Sequence, residues 1–418
     1  MIATEVKCKK TGNEWVPEIP EHWDFRRLKN FAEIGSGHDQ KGIEKDDGKY
    51  SIYGTGGLMG KTNKFLYEGP SVILGRKGTI DNPFYVTEPF WTVDTAYYTK
   101  IKKNVDPRFF FYCCLTIKFD YYKYGSAVPS MSQRDLNQIR LPYPPLDEQK
   151  IIADYLDEQT LKITHFIQTK QRFIELLKEQ RQSIITNAVT NGIDENVKMK
   201  FSGFCWIGEI PQHWEIRSIK NLLVKEKGAI KAGPFGSDLK GTDIIEKGIK
   251  VYNQRTVLDN DFIQGTEFIS KFKFEDLSVF EVQKGDILLT TRGTIGKAAI
   301  VPDEFEKGII HPCLIRLRID NDLIAKGFIT MVFNEAKYFS DLIKMESNSN
   351  TIDVIYADTL KFMKLLIPPL EEQKQIVEHI KTETKTIDIA INKAEREIEL
   401  MKEYREAMIA EVVTGKRK

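Results

Sequence analysis

Three stretches of this 418-residue chain, together with its histidines and cysteines, gather residue types that do chemistry, and their spacing can be compared with what each reaction requires. TyrGlyThrGlyGlyLeuMetGlyLysThr at 53–62 has the composition of a phosphate-cradling loop. Such a loop needs a glycine five positions before GlyLysThr, and that position holds Thr55, with Gly54 and Gly56 each one residue off. AspAsnProPhe at 81–84 lacks the second proline of the AsnProProTyr type that positions an amino group for methyl transfer, and no glycine loop for S-adenosylmethionine follows a strand before it. ProAspGluPheGluLys at 302–307 has no acidic-x-lysine triplet downstream at a spacing that a metal-dependent nuclease uses. His22, His38, His165, His213, His311 and His379 show no metal-ligand spacing. Cys8, Cys113, Cys114, Cys205 and Cys313 form no CxxC pair, so reduced, buried, inert thiols are expected. None of these sets makes an active site.

Binding is a better fit than catalysis. ArgLysGlyThrIle at 76–80 and ThrArgGlyThrIle at 291–295 align at an offset of 215 residues. A basic side chain just before a glycine turn either lies against a phosphate or base edge, with the glycine allowing close backbone approach, or sits solvated on a plain hairpin. The 53–62 loop followed by Lys64, and LysAlaGlyProPheGlySerAspLeuLys at 231–240, are further irregular loops flanked by basic residues.

These loops sit in a duplicated chain. WVPEIPEHW at 15–23 and WIGEIPQHW at 206–214 share six of nine positions at an offset of 191. LPYPPLDEQKIIADYL at 141–156 matches LLIPPLEEQKQIVEHI at 365–380 at an offset of 224. Trp15 to Pro145 spans 131 residues and Trp206 to Pro369 spans 164, so the 33-residue difference lies inside the globular parts. Strand-like runs broken by glycine, mixed with shorter helical stretches, predict an α+β class for both. The tryptophan-rich strings are read as core elements that open each domain, since their Trp and Ile would otherwise expose apolar surface.

Each globular part is followed by a predicted long helix. Pro-Pro followed by Leu-Asp-Glu-Gln or Leu-Glu-Glu-Gln puts acidic residues in a first turn, where the helix dipole favours them. A heptad seam follows. In the first tail its rows are Leu156, Ile163, Lys170, Leu177, Ile184 and Ala153, Thr160, Ile167, Ile174, Arg181, Ala188. In the second they are Ile380, Ile387, Ala394, Met401, Met408 and Val377, Thr384, Ile391, Ile398, Arg405, Val412. Lys170 occupies the slot that Ala394 takes in the other tail, where it snorkels or meets a partner carboxylate. Some 45 residues reach about 67 Å, more than a domain of this size covers, so each helix needs a partner beyond its own domain. The short 191–205 linker makes the pair antiparallel, a two-helix coiled coil between similar domains in a pseudo-twofold repeat. The expected boundaries are 1–145 and 206–369 for the domains, 146–190 and 370–414 for the helices, and 191–205 for the linker.

With 41% hydrophobic residues and 61 Lys+Arg against 60 Asp+Glu, disordered and disulfide-scaffold classes are set aside. No run reaches the roughly 18 apolar residues of a membrane span, and no apolar signal core opens the sequence, so a cytoplasmic protein is expected. A net charge of +1 argues against binding nucleic acid by bulk charge, so any such face must be a patch. Residues 1–145 alone are mildly basic, with 21 Lys and Arg against 17 Asp and Glu.

The ordered set of WVPEIPEHW and WIGEIPQHW, GRKGTI and TRGTI, and PPLDEQ and PPLEEQ resembles the DNA-specificity subunit of type I restriction-modification systems, from about Thr11 to Thr414. Gly208 in place of the proline at Pro17, and Cys205 in place of Glu14, are the departures. The resemblance implies two target-recognition domains, each reading one half of a bipartite asymmetric site in double-stranded DNA, with the helix pair as a ruler for the gap. It implies two modification subunits that carry S-adenosylmethionine and methylate adenine N6, and restriction subunits that use ATP and Mg. The enzyme activity then belongs to the complex, and this chain is a non-catalytic subunit without cofactors. The DNA contacts expected are Tyr53, Gly57, Lys61, Arg76 and Lys77 in the first domain and Lys231, Phe235, Ser237, Arg255 and Arg292 in the second. The competing reading is a two-headed coiled-coil scaffold that binds proteins. A fragment of a fused methyltransferase-nuclease would demand catalytic domains that the two repeats leave no room for.

Overall fold

A computed structural model describes residues 7–123, 128–205, 207–346 and 354–416; Trp206, which opens the second tryptophan-rich string, lies outside them. The chain forms two compact α+β units, one of residues 1–172 with 394–418, the other of residues 173–393. Each holds one globular domain and an antiparallel helix pair.

The two domains repeat one topology. In the first, a four-stranded antiparallel sheet runs in the order Ala32–Ser36, Ala96–Ile101, Ser71–Gly75, Phe84–Val86. Beside it, Gly57–Thr62, Tyr50–Gly54 and Phe90–Thr92 form a three-stranded sheet whose last pair is parallel. The second domain matches with Ile230–Ala232, Leu314–Leu317, Ile287–Thr290, Ala298–Ile300 and with Phe268–Ile269, Ile249–Tyr252, Gly308–Ile310, again parallel at the end. Ser71–Gly75 and Ile287–Thr290 are buried at every residue, so unbroken apolar runs mark strands covered on both faces. Part of the second domain's extra length replaces the tight 54–57 hairpin with the helix Gln254–Asp259 and a loop before Phe268–Ile269.

The long helices span Leu146–Asn191 and Leu370–Val413. Their starts explain why two distant strings repeat together. Trp23 Nε1 donates to Glu148 at 2.8 Å and His22 lies 2.9 Å from the same carboxylate. In the second unit Trp214 Nε1 donates to Glu372 at 3.0 Å, with His213 at 2.7 Å. The fully buried Gln149 and Gln373 donate to the carbonyls of Pro144 and Pro368, both at 2.9 Å, and accept the backbone N–H of Asp106 and Ala325. The HisTrp pair and the GluGln pair are two halves of one joint between domain and helix.

Within the first unit Lys170 pairs with Glu397 at 2.6 Å, across the two helices. Within the second, Arg181 reaches Asp388 of the facing helix at 2.8 Å and Glu335 of the domain at 2.6 Å. Leu156, Ile163, Ile167, Ile174, Ile380, Ile387, Ile391 and Ile398 are buried, while Leu177 and Met401 are half-buried. Toward the end of the first helix the seam departs from the heptad row: Ile185 is fully buried and Ile184 only half-buried. The reason is the second domain's core, which takes Ile185, Ala188 and Val189 from this helix, so domain packing and not the helix pair sets the inward face there. The cysteines also divide: Cys113 and Cys114 are buried, but Cys8 and Cys205 are exposed, contrary to the expectation for them.

Candidate nucleic-acid interface

In the first domain one turn, Val93–Thr95, gathers three loops. Arg76 and Lys77 donate their backbone N–H groups to the Thr95 carbonyl at 2.9 and 3.0 Å, and Val93 N–H donates to Tyr53 at 3.0 Å. A Cβ on Gly37 would fall 1.9 Å from the Val93 carbonyl oxygen, so only glycine lets the Gly37 loop approach. Lys77 is exposed and its backbone bridges to Ser130. The guanidinium of half-buried Arg76 instead donates to the Asp94 carbonyl at 3.0 Å. Gly78, at φ +86°, stands beside Thr55 at the hairpin tip, which joins the basic turn to the glycine-rich loop. Gly57, at φ +111°, closes that hairpin, and Lys61 is exposed on its outgoing strand. Tyr53 is held inward, its ring 5.4 Å from Phe84 and 6.2 Å from Phe90, which makes it a support for the loop.

The second domain repeats this with different side chains. His311–Cys313 is the gathering turn: His311 N–H donates to Tyr252 at 2.8 Å, Thr291 N–H to Cys313 at 2.9 Å and Gly233 N–H to Leu314 at 2.9 Å. A Cβ on Gly233 would meet the His311 carbonyl oxygen at 2.2 Å. Arg292 is exposed and bridges to Val354 by its backbone, as Lys77 bridges to Ser130; 130 and 354 differ by the same 224 residues as the helices. Lys77 and Arg292, each followed by a glycine at positive φ, are therefore structural equivalents. The Arg255 side chain is 88% exposed on the helix beside Arg292, and its guanidinium pairs with Asp259 at 3.1 Å. Phe235 is 81% exposed and Ser237 exposed on the 233–240 loop, while Lys231 is half-buried with its ammonium 5.0 Å over the Phe280 ring.

Sequence reasoning passed over His311. Its Nδ1 accepts the Cys313 N–H at 3.2 Å and lies 2.9 Å from the Cys313 sulfur. Burial pushes the imidazole below its usual pKa, Glu267 opposes this and Arg292 adds to it; burial likewise pushes the Cys313 thiol up. The histidine is thus neutral at pH 7 with its proton on Nε2. A HisProCys string between two strands carries no spacing signal, which is why only the fold reveals it.

A buried ion network braces the second domain. Arg316 and Asp286 are each 3% exposed; Arg318 binds Asp286 at 3.0 Å, and Arg316 donates to the carbonyls of Glu281 and of Gly228, the latter at 3.0 Å. Among the described residues no group of His, Cys, Asp or Glu could hold a metal ion, and no helix is long and apolar enough to cross a membrane.

The family model described as type I restriction modification DNA specificity domain matches this chain twice, over residues 20–176 and 211–400. The chain is 25% identical over 429 residues to the type I restriction enzyme MjaVIII specificity subunit of Methanocaldococcus jannaschii, covering 95% of this chain and 93% of that protein. It is 23% identical to the type I restriction enzyme EcoBI specificity subunit of Escherichia coli, over 87% of this chain and 79% of that one. A solved chain from work on complex assembly and conformational transition of the type I R-M system shares the fold, with a TM-score of 0.70 at 14% identity over 95% of this chain and 99% of that one. With one match on each half of the repeat, and the two together spanning most of the sequence, the chain belongs to the type I restriction modification DNA specificity family.

Proposed function

We propose that this chain is the recognition subunit of a type I restriction-modification complex and reads a bipartite, asymmetric site in double-stranded DNA. Each globular domain reads one half-site, and the helix pair sets the gap. The chain is non-catalytic: two modification subunits bring S-adenosylmethionine and methylate adenine, and restriction subunits bring ATP and Mg. All of this takes place in the cytoplasm. The observation that carries the reading is the equivalence of Lys77–Gly78 and Arg292–Gly293, exposed basic residues at one topological position of two domains whose surrounding loops differ. An exposed cation ahead of a positive-φ glycine suits a phosphate or a guanine edge, and differing neighbours suit different half-sites.

The test is base-resolution mapping of adenine methylation in cells expressing this chain with its modification subunit, against cells lacking it. A new two-part motif with a fixed gap is expected. An assembled, S-adenosylmethionine-binding complex that leaves the methylome unchanged would overturn the reading and favour a protein-binding scaffold.

A further inference from the structure

The three-stranded sheet of the second domain ends in a histidine and a glutamate, and the glutamate has one oxygen without a hydrogen-bond partner among the described residues. Lys250 pairs with Phe268 and Tyr252 with Ile310, so Glu267 stands beside Val251 on one side and His311 continues the strand on the other; Val251 N–H donates to the Glu267 carbonyl at 2.9 Å. Side chains alternate along a strand, so Glu267 continues the row of Ile269, and His311 the row of Ile309. Ile269, Val251 and Ile309 share one core cluster, which places Glu267 and His311 on the same face, just past its edge. Glu267 is half-buried, and its Oε2 is fully buried with no hydrogen-bond partner among the described residues. A carboxylate oxygen in that position is costly unless a donor arrives. The terminal torsion of a Glu is soft, so a small rotation turns this oxygen toward a ligand. His311 accepts the Cys313 N–H at Nδ1, which puts the proton of its half-exposed ring on Nε2. Exposed Arg292 lies in the same neighbourhood, close enough to act on the charge of the His311 ring, and its loop abuts Gln254 through Gly293.

We propose that Glu267 and His311 read a base in the half-site of the second domain, the carboxylate accepting from an exocyclic amino group and the imidazole Nε2–H donating to an acceptor on the same edge. This rests on the DNA-specificity reading above. An amino donor beside a ring-nitrogen acceptor is the major-groove edge of adenine, N6 and N7. Cytosine offers the N4 amino group without that acceptor, so it satisfies half of the pair. In the first domain the sheet pairing puts Gly60 where Glu267 stands and Val93 where His311 stands, with Met59 packed at that corner against Gly54. The same place is polar in one domain and apolar in the other, which requires the two half-sites to differ there.

The experiment uses the assembled complex of this chain with its modification subunit. Methylome mapping of E267A, E267Q and H311A is expected to show one position of one half-site relaxed, with methylation at wrong-base sites rising about tenfold or more relative to the unaltered complex. The other half-site and the gap stay fixed. Binding by the unaltered complex to duplexes that lack the N6 or N4 amino group, one base at a time, is expected to drop by a similar factor at a single position. That drop should vanish in E267A. If no amino-group deletion in that half-site weakens binding, or if E267A and H311A keep the full motif, the base-reading pair is wrong while DNA specificity stands. If the unaltered complex gives no motif at all, the specificity reading itself fails. The duplex series needs no substitution in the protein, so a variant that does not fold leaves the proposal exposed to refutation.

Discussion

At the scale of single residues, Lys77 and Arg292 are the matched pair, although the sequence favours Arg76 equally with Lys77. The string ArgLysGly does not say which side chain the backbone turns outward; Arg76 is drawn back to the Asp94 carbonyl and aligns with Thr291, which is buried. K77A is expected to weaken discrimination or binding at one half-site, and R292A at the other, each read by methylome mapping; equal loss at both halves from either change would refute the assignment. His311 supplies a pH test. Its folded pKa lies below the unfolded value near 6.5, so the unfolded chain binds more protons and stability is lost as pH falls through that region. Denaturant midpoints between pH 7.5 and 5 should fall less in H311Q than in the unaltered chain. Tyr53 was legible as an aromatic beside a glycine loop but not as a support, because its contacts with Phe84 and Phe90 depend on strand pairing more than 30 residues away in sequence.

At the scale of elements, the helices were legible because period and acidic first turns are local signals; they span Leu146–Asn191 and Leu370–Val413. The joint at their starts was not. Repetition shows that HisTrp and LeuAspGluGln belong to one unit, but only the fold shows that the indole and imidazole hold the glutamate. E372A leaves the indole N–H of fully buried Trp214 without its acceptor and should cost about 1–3 kcal/mol, measured by chemical denaturation. E372Q, which retains an acceptor, should cost less. The end of the seam misled for a physical reason: a heptad count assumes one partner, and Ile185 has a domain core as its partner. Lengthening both helices by one heptad adds about 10 Å of rise, or roughly three base pairs of duplex. The gap in the methylated motif is expected to grow by about that much with both half-sites unchanged; an unchanged gap would rule out the ruler.

At the scale of the whole molecule, a net charge of +1 means that affinity for DNA must come from placed cations and not from a general field. Binding should still weaken steeply with salt, and removing one phosphate-contacting lysine or arginine should reduce the slope of log affinity against log salt by about one. Salt-independent binding would favour the scaffold reading. The duplication was the most legible feature at this scale, since two strings repeated at offsets of 191 and 224 are enough by themselves to divide the chain. How the compact units cut across that duplication was not legible. The second unit is one unbroken stretch, 173–393, whereas the first joins 1–172 to 394–418, with Gly415 against Pro20 and Trp23. A ribosome therefore delivers every residue of the second unit before it delivers the stretch of chain that completes the first. The domain made first is finished last, so a message cut short just after codon 393 would spare the younger unit and leave the older one without its closing helix.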